Sequence, residues 1–185
     1  REDEIVDSCA RVFAHGCRSL KLYFLIGLPT ETDADLDAIV ELAARIKRLA
    51  PRAATITVNV STLVPKPHTP FQWCSQVAPS ATQMKQSRLL AALKRQRINL
   101  RYHHPYASFI EGVLARGDRR LAAVVETAWR LGFRTQDWNN DNAEDIWRRA
   151  FVEAGVDPES YLQYRDEQRP LPWDHIDVGV SRSFV

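Results

Sequence analysis

No stretch of the chain reaches the roughly 18 uninterrupted apolar residues that a membrane-crossing helix needs. The longest comparable run, Leu22 to Leu28, has only the length of a strand, so a transmembrane role is excluded. Cysteine is scarce: Cys9, Cys17 and Cys74 are three, an odd number at wide spacing. That pattern builds no disulfide framework and fits free thiols in a reducing compartment, so the expected location is cytoplasmic. Neither sign of charge dominates, with 25 basic and 23 acidic residues and a net charge of +2. The composition therefore creates no field that would recruit nucleic acid or an anionic membrane. A Walker loop, a dinucleotide fingerprint and a nucleophile motif are all missing. The chain opens R-E-D-E without Met, and no charged-then-apolar signal segment follows; this reads as a piece of a longer protein.

What is present is ordinary globular material. The 185 residues are 45% hydrophobic and 26% charged, which suits one main core, or one core with an appendage. Ile5, Val6, Cys9, Val12 and Phe13 recur at helical spacing, with Gly16 placed to stop the helix. Leu20 to Ile26 is a short apolar run bounded by Gly27 and Pro29, as expected of a strand buried on both faces. Thr32 offers an N-cap, Asp33, Asp35 and Asp37 load the first turns, and Leu36, Ile39, Val40, Ala43 and Ile46 form an apolar stripe. Beyond Pro51, residues Thr55 to Val64 alternate, with Ile56, Val58 and Val60 on one face and Thr57, Asn59 and Ser61 on the other. A strand, helix, strand order implies a parallel pair, hence an α/β sheet or barrel. If helices cover one face of the second strand, the polar face looks into a lumen or crevice, or is a half-exposed surface.

Pro65, Pro67 and Pro70 remove three backbone donors from V-P-K-P-H-T-P-F and make it a stiff loop. Ser80 and Gln83 resemble a capping box, and Met84, Leu89, Leu90 and Leu93 provide a core face for the next helix, with Arg95, Arg97 and Arg101 as a basic exit. Helical patterns recur around Phe109 to Leu114, Leu121 to Leu131 and Ile146 to Ala154. Arg116-Gly117-Asp118 falls between helical patterns and reads as a turn, not an adhesion signal. Asp137, Asn139 and Asp141 begin a calcium loop, but Asn142 and Arg148 replace the Gly and Glu it needs. His103 and His104 are adjacent and cannot share one ion from a helix face, so a turn or strand end is expected. Trp173-Asp174-His175 with Asp177 could hold an imidazole between carboxylates, or simply cap the tail.

The most specific signal is the pair of strand ends, Y-F-L-I-G-L-P-T-E-T at Tyr23 to Thr32 and T-L-V-P-K-P-H-T-P-F at Thr62 to Phe71. They resemble the fifth and sixth strands of the radical S-adenosylmethionine (SAM) barrel. Together with F-I-E-G-V-L-A-R-G-D-R-R and P-W-D-H-I-D, nearly the whole chain is similar to the C-terminal half of an uncharacterised radical SAM subfamily. The resemblance implies an α/β fold. Residues 1–102 would be the C-terminal part of a TIM-type barrel with parallel strands, and residues 103–185 a helical extension with an irregular tail. It also implies that Leu25, Gly27 and Glu31 form the adenine side of a SAM pocket, with Ser61, Thr62 and Val64 lining the neighbouring strand. Tyr23 stands where the family's first Gly usually is, and Glu31 lies one position late. Physically, glycine permits close backbone approach to a flat ring and leucine supplies apolar surface.

The same resemblance calls for a 4Fe-4S cluster on a C-x-x-x-C-x-x-C loop, a spacing that Cys9, Cys17 and Cys74 do not have. Cluster ligands and the first four strands are therefore expected upstream, in the other half of the same barrel, and the chain alone is expected to be inactive. The parent would cleave SAM reductively and act on an unknown substrate. The rival reading is a noncatalytic protein-binding module that uses the proline-rich loop 64–73 and exposed Phe71 and Trp73. Near-neutral charge argues against RNA as its partner.

Overall fold

A β-α-β crossover organises the first half of the molecule. The computed structural model describes residues 1–134, 142–182 and 184. Helix α1 (Glu2–Ala14) leads into strand β1 (Ser19–Ile26), helix α2 (Asp33–Leu49), strand β2 (Thr55–Thr62), helix α3 (Pro79–Arg95) and strand β3 (Asn99–Tyr102). The three strands form a parallel sheet in the order β1-β2-β3. The α/β class and the parallel pairing expected from the sequence are therefore present. The second half contains helices α4 (Pro105–Arg116), α5 (Leu121–Arg130) and α6 (Ala143–Glu153), then a short 3-10 helix at Glu159–Leu162.

The chain divides into two compact units, not around one core. The first comprises residues 1–63 and 80–103, the second 64–79 and 104–185. The proline-rich segment thus belongs with the helical half. In the first unit, Ile56, Val58 and Val60 of β2 are fully buried with Leu22 and Ile26 of β1. Phe13 from α1, Leu36, Ala43 and Ile46 from α2, and Leu89 and Leu93 from α3 close over them. Each such aliphatic side chain contributes about 1.5–3 kcal/mol of burial. Helix α2 starts where Asp35 accepts hydrogen bonds from the Thr32 backbone N–H at 2.7 Å and the Thr32 hydroxyl at 2.8 Å. These bonds, the backbone one foremost, hold the Asp35 carboxyl below its ordinary pKa.

The structure departs from the sequence expectations at three places. Strand β1 is buried on one face only: Tyr23 is 73% exposed and Leu25 also faces outward. Among the described residues β1 lies at one side of the sheet, and its period of two sends alternate side chains away from the helices. On α3, Met84 is 68% exposed and Leu90 is exposed, whereas Thr82, Gln86, Leu89 and Leu93 are buried. The buried stripe includes Gln86 because its amide donates to the His103 carbonyl at 3.0 Å, which offsets the cost of burying it. The helix also begins at Pro79, ahead of Ser80, since proline suits a first helical position. Third, of the basic exit only Arg101 lies in strand β3, while Arg95 ends α3 and Arg97 sits in the turn between them.

In the second unit, Ile110, Val113, Val124, Trp147, Ala150 and Phe151 form the core. His104 caps α4, its Nδ1 accepting from the Tyr106 N–H at 3.3 Å, which agrees with the turn expected there. Gly112 leaves room for the Gln76 side chain, whose amide donates to the Ser108 carbonyl at 2.7 Å; a Cβ at this position would lie 1.9 Å from Gln76 Oε1. Arg116 is fully buried and donates to the carbonyls of Cys74 at 2.7 Å and Gln163 at 2.8 Å. The Arg-Gly-Asp turn is therefore a structural joint, as expected. The calcium-like residues Asp137, Asn139 and Asp141 lie outside the described residues.

Two outcomes follow from this packing. Leu89→Ala lowers the unfolding free energy by about 2–5 kcal/mol, while Met84→Ala changes it by less than about 0.5 kcal/mol, as read from denaturant midpoints. Asp118, bonded chiefly by the Arg120 side chain and also by the Tyr161 hydroxyl, is held down to about 2 from its ordinary 3.8. Its folded pKa is depressed, so the stability it contributes is fully present above pH 3.8 and is lost as pH falls through about 2. Asp118→Asn flattens the loss of thermal stability across that window; an unchanged acid profile would contradict the assignment.

Candidate functional site at the carboxyl end of the sheet

The site grows from the parallel register. Leu25 pairs with Ser61 and Ile26 with Thr62. The Leu63 N–H then donates to the Ile26 carbonyl at 2.8 Å, extending the ladder by one residue. Both strands therefore leave the sheet at the same edge. Directly after β1, Gly27 takes a left-handed backbone with φ of 83°, a conformation that costs any residue with a Cβ. Its N–H donates to Glu31 Oε2 at 2.8 Å. The other carboxylate oxygen, Oε1, accepts from Lys85 Nζ of α3 at 2.6 Å. The Glu31 side chain is only 4% exposed, so a buried charge is both paired and hydrogen-bonded.

Beside this turn lies a pocket of about 260 Å³. Phe24, Leu25, Leu28 and Ile39 supply apolar wall, and Glu31 and Asp35 supply acceptors. Sites that enclose whole small molecules run to roughly 300–1,000 Å³, so this one suits a fragment such as a single flat ring. Its apolar wall and two carboxylates are the kind of lining that a flat heterocycle meets.

The sequence-derived residues separate into groups. Leu25 and Ser61 are neighbours on one face of the sheet, and Gly27 and Glu31 are joined by a hydrogen bond. Thr62 lies on the opposite, helix-covered face with Ile26, because side chains alternate along a strand. Its hydroxyl is buried without a hydrogen-bond partner. Val64 is half-buried at the start of the second unit. Lys85 was not singled out from the sequence. The available signal was its place three residues before Arg88, which itself reaches Asp33 at 2.7 Å and Asp37 at 2.8 Å on α2.

The second unit carries its own polar hollow. Trp73, expected to be exposed, is 9% exposed and packs with Leu171 and Trp173. The rival docking reading thus loses one of its two aromatics, while Phe71 stays exposed. Gln72 is buried, and its Oε1 accepts from the His68 N–H at 3.0 Å and the Trp173 indole at 2.8 Å. Asp174 Oδ2 accepts from the Leu171 N–H at 2.8 Å and from Arg182 Nη1 at 2.9 Å. Asp177 accepts from the Gly179 N–H at 2.8 Å. Neither carboxylate is hydrogen-bonded to His175, so the imidazole held between two acids is not formed. His68, Gln72 and His175 line a hollow of about 400 Å³ with these acids.

Among the described residues, no group of three or more His, Cys, Asp or Glu side chains is placed to hold a metal ion. Cys9 is buried in α1, and burial pushes its thiol pKa up. The Cys17 thiol donates to the Ser19 carbonyl at 3.1 Å, and Cys74 lies in the other unit. These thiols do not fit the ligand set of an iron–sulfur cluster.

Comparison with known proteins adds one relative. Over 156 residues, 84% of this chain, the sequence is 29% identical to the uncharacterised protein MJ0966 of Methanocaldococcus jannaschii. The chain spans about a third of that protein's length, 34%. No protein-family model matches, and no solved structure matches.

Glu31→Ala leaves both the Gly27 N–H and the Lys85 ammonium without their acceptor. It should cost about 1–3 kcal/mol in urea unfolding, and Lys85→Met, which leaves the buried Glu31 carboxylate without its counter-charge, should cost at least as much. Equal, negligible effects would show that the turn holds its shape without the carboxylate.

Proposed function

We propose that this chain is the C-terminal part of a radical SAM barrel, from the fifth strand onward, with a helical extension, and that it supplies the adenine side of the SAM pocket. The observation that carries the reading is the coincidence of motif and position. The two segments that resemble the family's strand ends follow two adjacent parallel strands in register, Ile26 beside Thr62, at one edge of the sheet. In α/β barrels the loops after the carboxyl ends of the strands build the active site. The left-handed Gly27 and its bond to Glu31 add a second support, since a turn fixed in this way keeps the backbone bare where a ring would approach.

On this reading Leu25 presents apolar surface to the adenine and Ser61 stands next to it. Glu31 acts as a positioning residue: both its oxygens are engaged, and it shapes the Gly27 turn. Bound to a cluster supplied by the upstream half of the barrel, SAM would provide the radical chemistry. The ligands of that cluster would come from the upstream half as well.

The experiment begins with the reading frame that encodes the chain, which should carry a C-x-x-x-C-x-x-C loop upstream of Arg1. In the whole protein, Leu25→Glu should weaken SAM binding about tenfold or more while iron and sulfide content stay unchanged, because a charge replaces apolar contact with the ring. Leu25 is the better probe than Gly27, since it is exposed and outside the core, whereas any side chain at Gly27 also strains the backbone. A frame without the loop, or an unchanged affinity, would remove the assignment.

A further inference from the structure

The outward face of the sheet arranges its side chains in rows. Nearest the carboxyl edge stand Leu25 and Ser61, next Tyr23, Asn59 and Arg101, and below them Lys21, Thr57 and Asn99. Adjacent strands lie about 4.8 Å apart, so the middle row spans about 10 Å from the backbone of β1 to that of β3. Barrel interiors are usually filled in layers by branched apolar side chains, and this row has none.

Among the described residues these rows are rich in donors and hold no acid. Asn59 Nδ2 is buried without an acceptor. Among the described residues Arg101 and Lys21 have no carboxylate partner, a state they share with other exposed cations such as Arg18 and Arg97, so the alignment of donors in adjoining rows is what marks this face. The carboxylate nearest in sequence to these rows, Glu31, is already taken by Gly27 and Lys85. A guanidinium, an amide N–H and a phenol in one row, with an ammonium in the row beneath, are complementary to a compact negative charge. Two cations are too few for the phosphate track of a nucleic acid, which needs a denser basic surface.

We propose that the Tyr23, Asn59 and Arg101 row binds a small oxyanion, a carboxylate or a phosphate. Resting on the radical SAM reading, this is the anionic group of the substrate, held one row below the position assigned to adenine. Arg101 offers its planar fork to two oxygens of the anion, Asn59 donates its unpaired N–H, and Tyr23 donates its hydroxyl from the open side.

The test follows the side-chain ¹H–¹⁵N signals of Asn59 and Arg101 in the full chain. Inorganic phosphate and, separately, acetate are added at constant ionic strength, with sodium chloride as the reference. Both signals should move saturably with a common dissociation constant, and the tighter of the two probes identifies the group as phosphate or carboxylate. Arg101→Gln should weaken binding about tenfold, and Arg101→Lys, which keeps the charge, should recover part of it. Lys94→Gln, at an exposed cation near the end of α3, should leave binding unchanged. Signals that do not saturate, or an equal loss from Lys94→Gln, would overturn the site. The outcome is separable from the SAM reading: saturable anion binding in a protein whose frame lacks the cysteine loop keeps the site and discards the cofactor. A loop present with unmoved Asn59 and Arg101 signals does the reverse.

Discussion

The parallel pairing of β1 with β2 over eight residues is the constraint from which the rest of the first unit follows. It requires a crossover, and α2 provides one whose apolar stripe lands on Ile56, Val58 and Val60. Once that face is committed to the core, a strand's period of two forces Thr57, Asn59 and Ser61 to the other side, level with Lys21, Tyr23 and Leu25. A slip of one residue would put valines and isoleucines outside and threonines inside. Burial energy thus selects the face that carries polar groups, and the same pairing brings the two strand ends together.

The second unit rests on a different device. Arg116 is wholly buried, has no carboxylate partner among the described residues, and binds main-chain carbonyls of Cys74, Leu162 and Gln163 through its guanidinium. Burial, helped by the nearby charge of Arg165, lowers its pKa to about 10. Carbonyl dipoles compensate a buried cation less fully than an ion pair does. What the arrangement provides is direction: one side chain at the end of α4 ties the proline-rich segment and the chain after the 3-10 helix to a single point. Arg165 returns the tie by donating to the Arg116 carbonyl at 2.6 Å.

Much of the candidate site could be read from residue order alone, because its logic is local. Gly27 before Pro29, and Glu31 four residues after Gly27, are separated by the reach of one turn, and the bond between them closes within five residues. Lys85 is different. Its partnership with Glu31 spans 54 positions, and nothing near either residue announces it. Trp73 shows the same limit in reverse: a tryptophan after three prolines reads as exposed, and only Leu171 and Trp173, about a hundred residues later in the chain, cover it.

By itself the sequence determined the helices, the first two strands and their relative direction. These depend on periodicity, caps and breakers that act within a few residues, and on the steric rule that a strand, helix, strand order runs parallel. It also determined which residues of β2 share a face, since that alternation is a property of extended backbone. Tertiary structure alone decided that Tyr23 and Leu25 of β1 face away from the helices and that Arg101 lies in a strand beside Asn59. Those outcomes depend on which strand lies next to which and on which surface the helices cover, and both are settled by the burial free energy of the whole unit, not by any local preference.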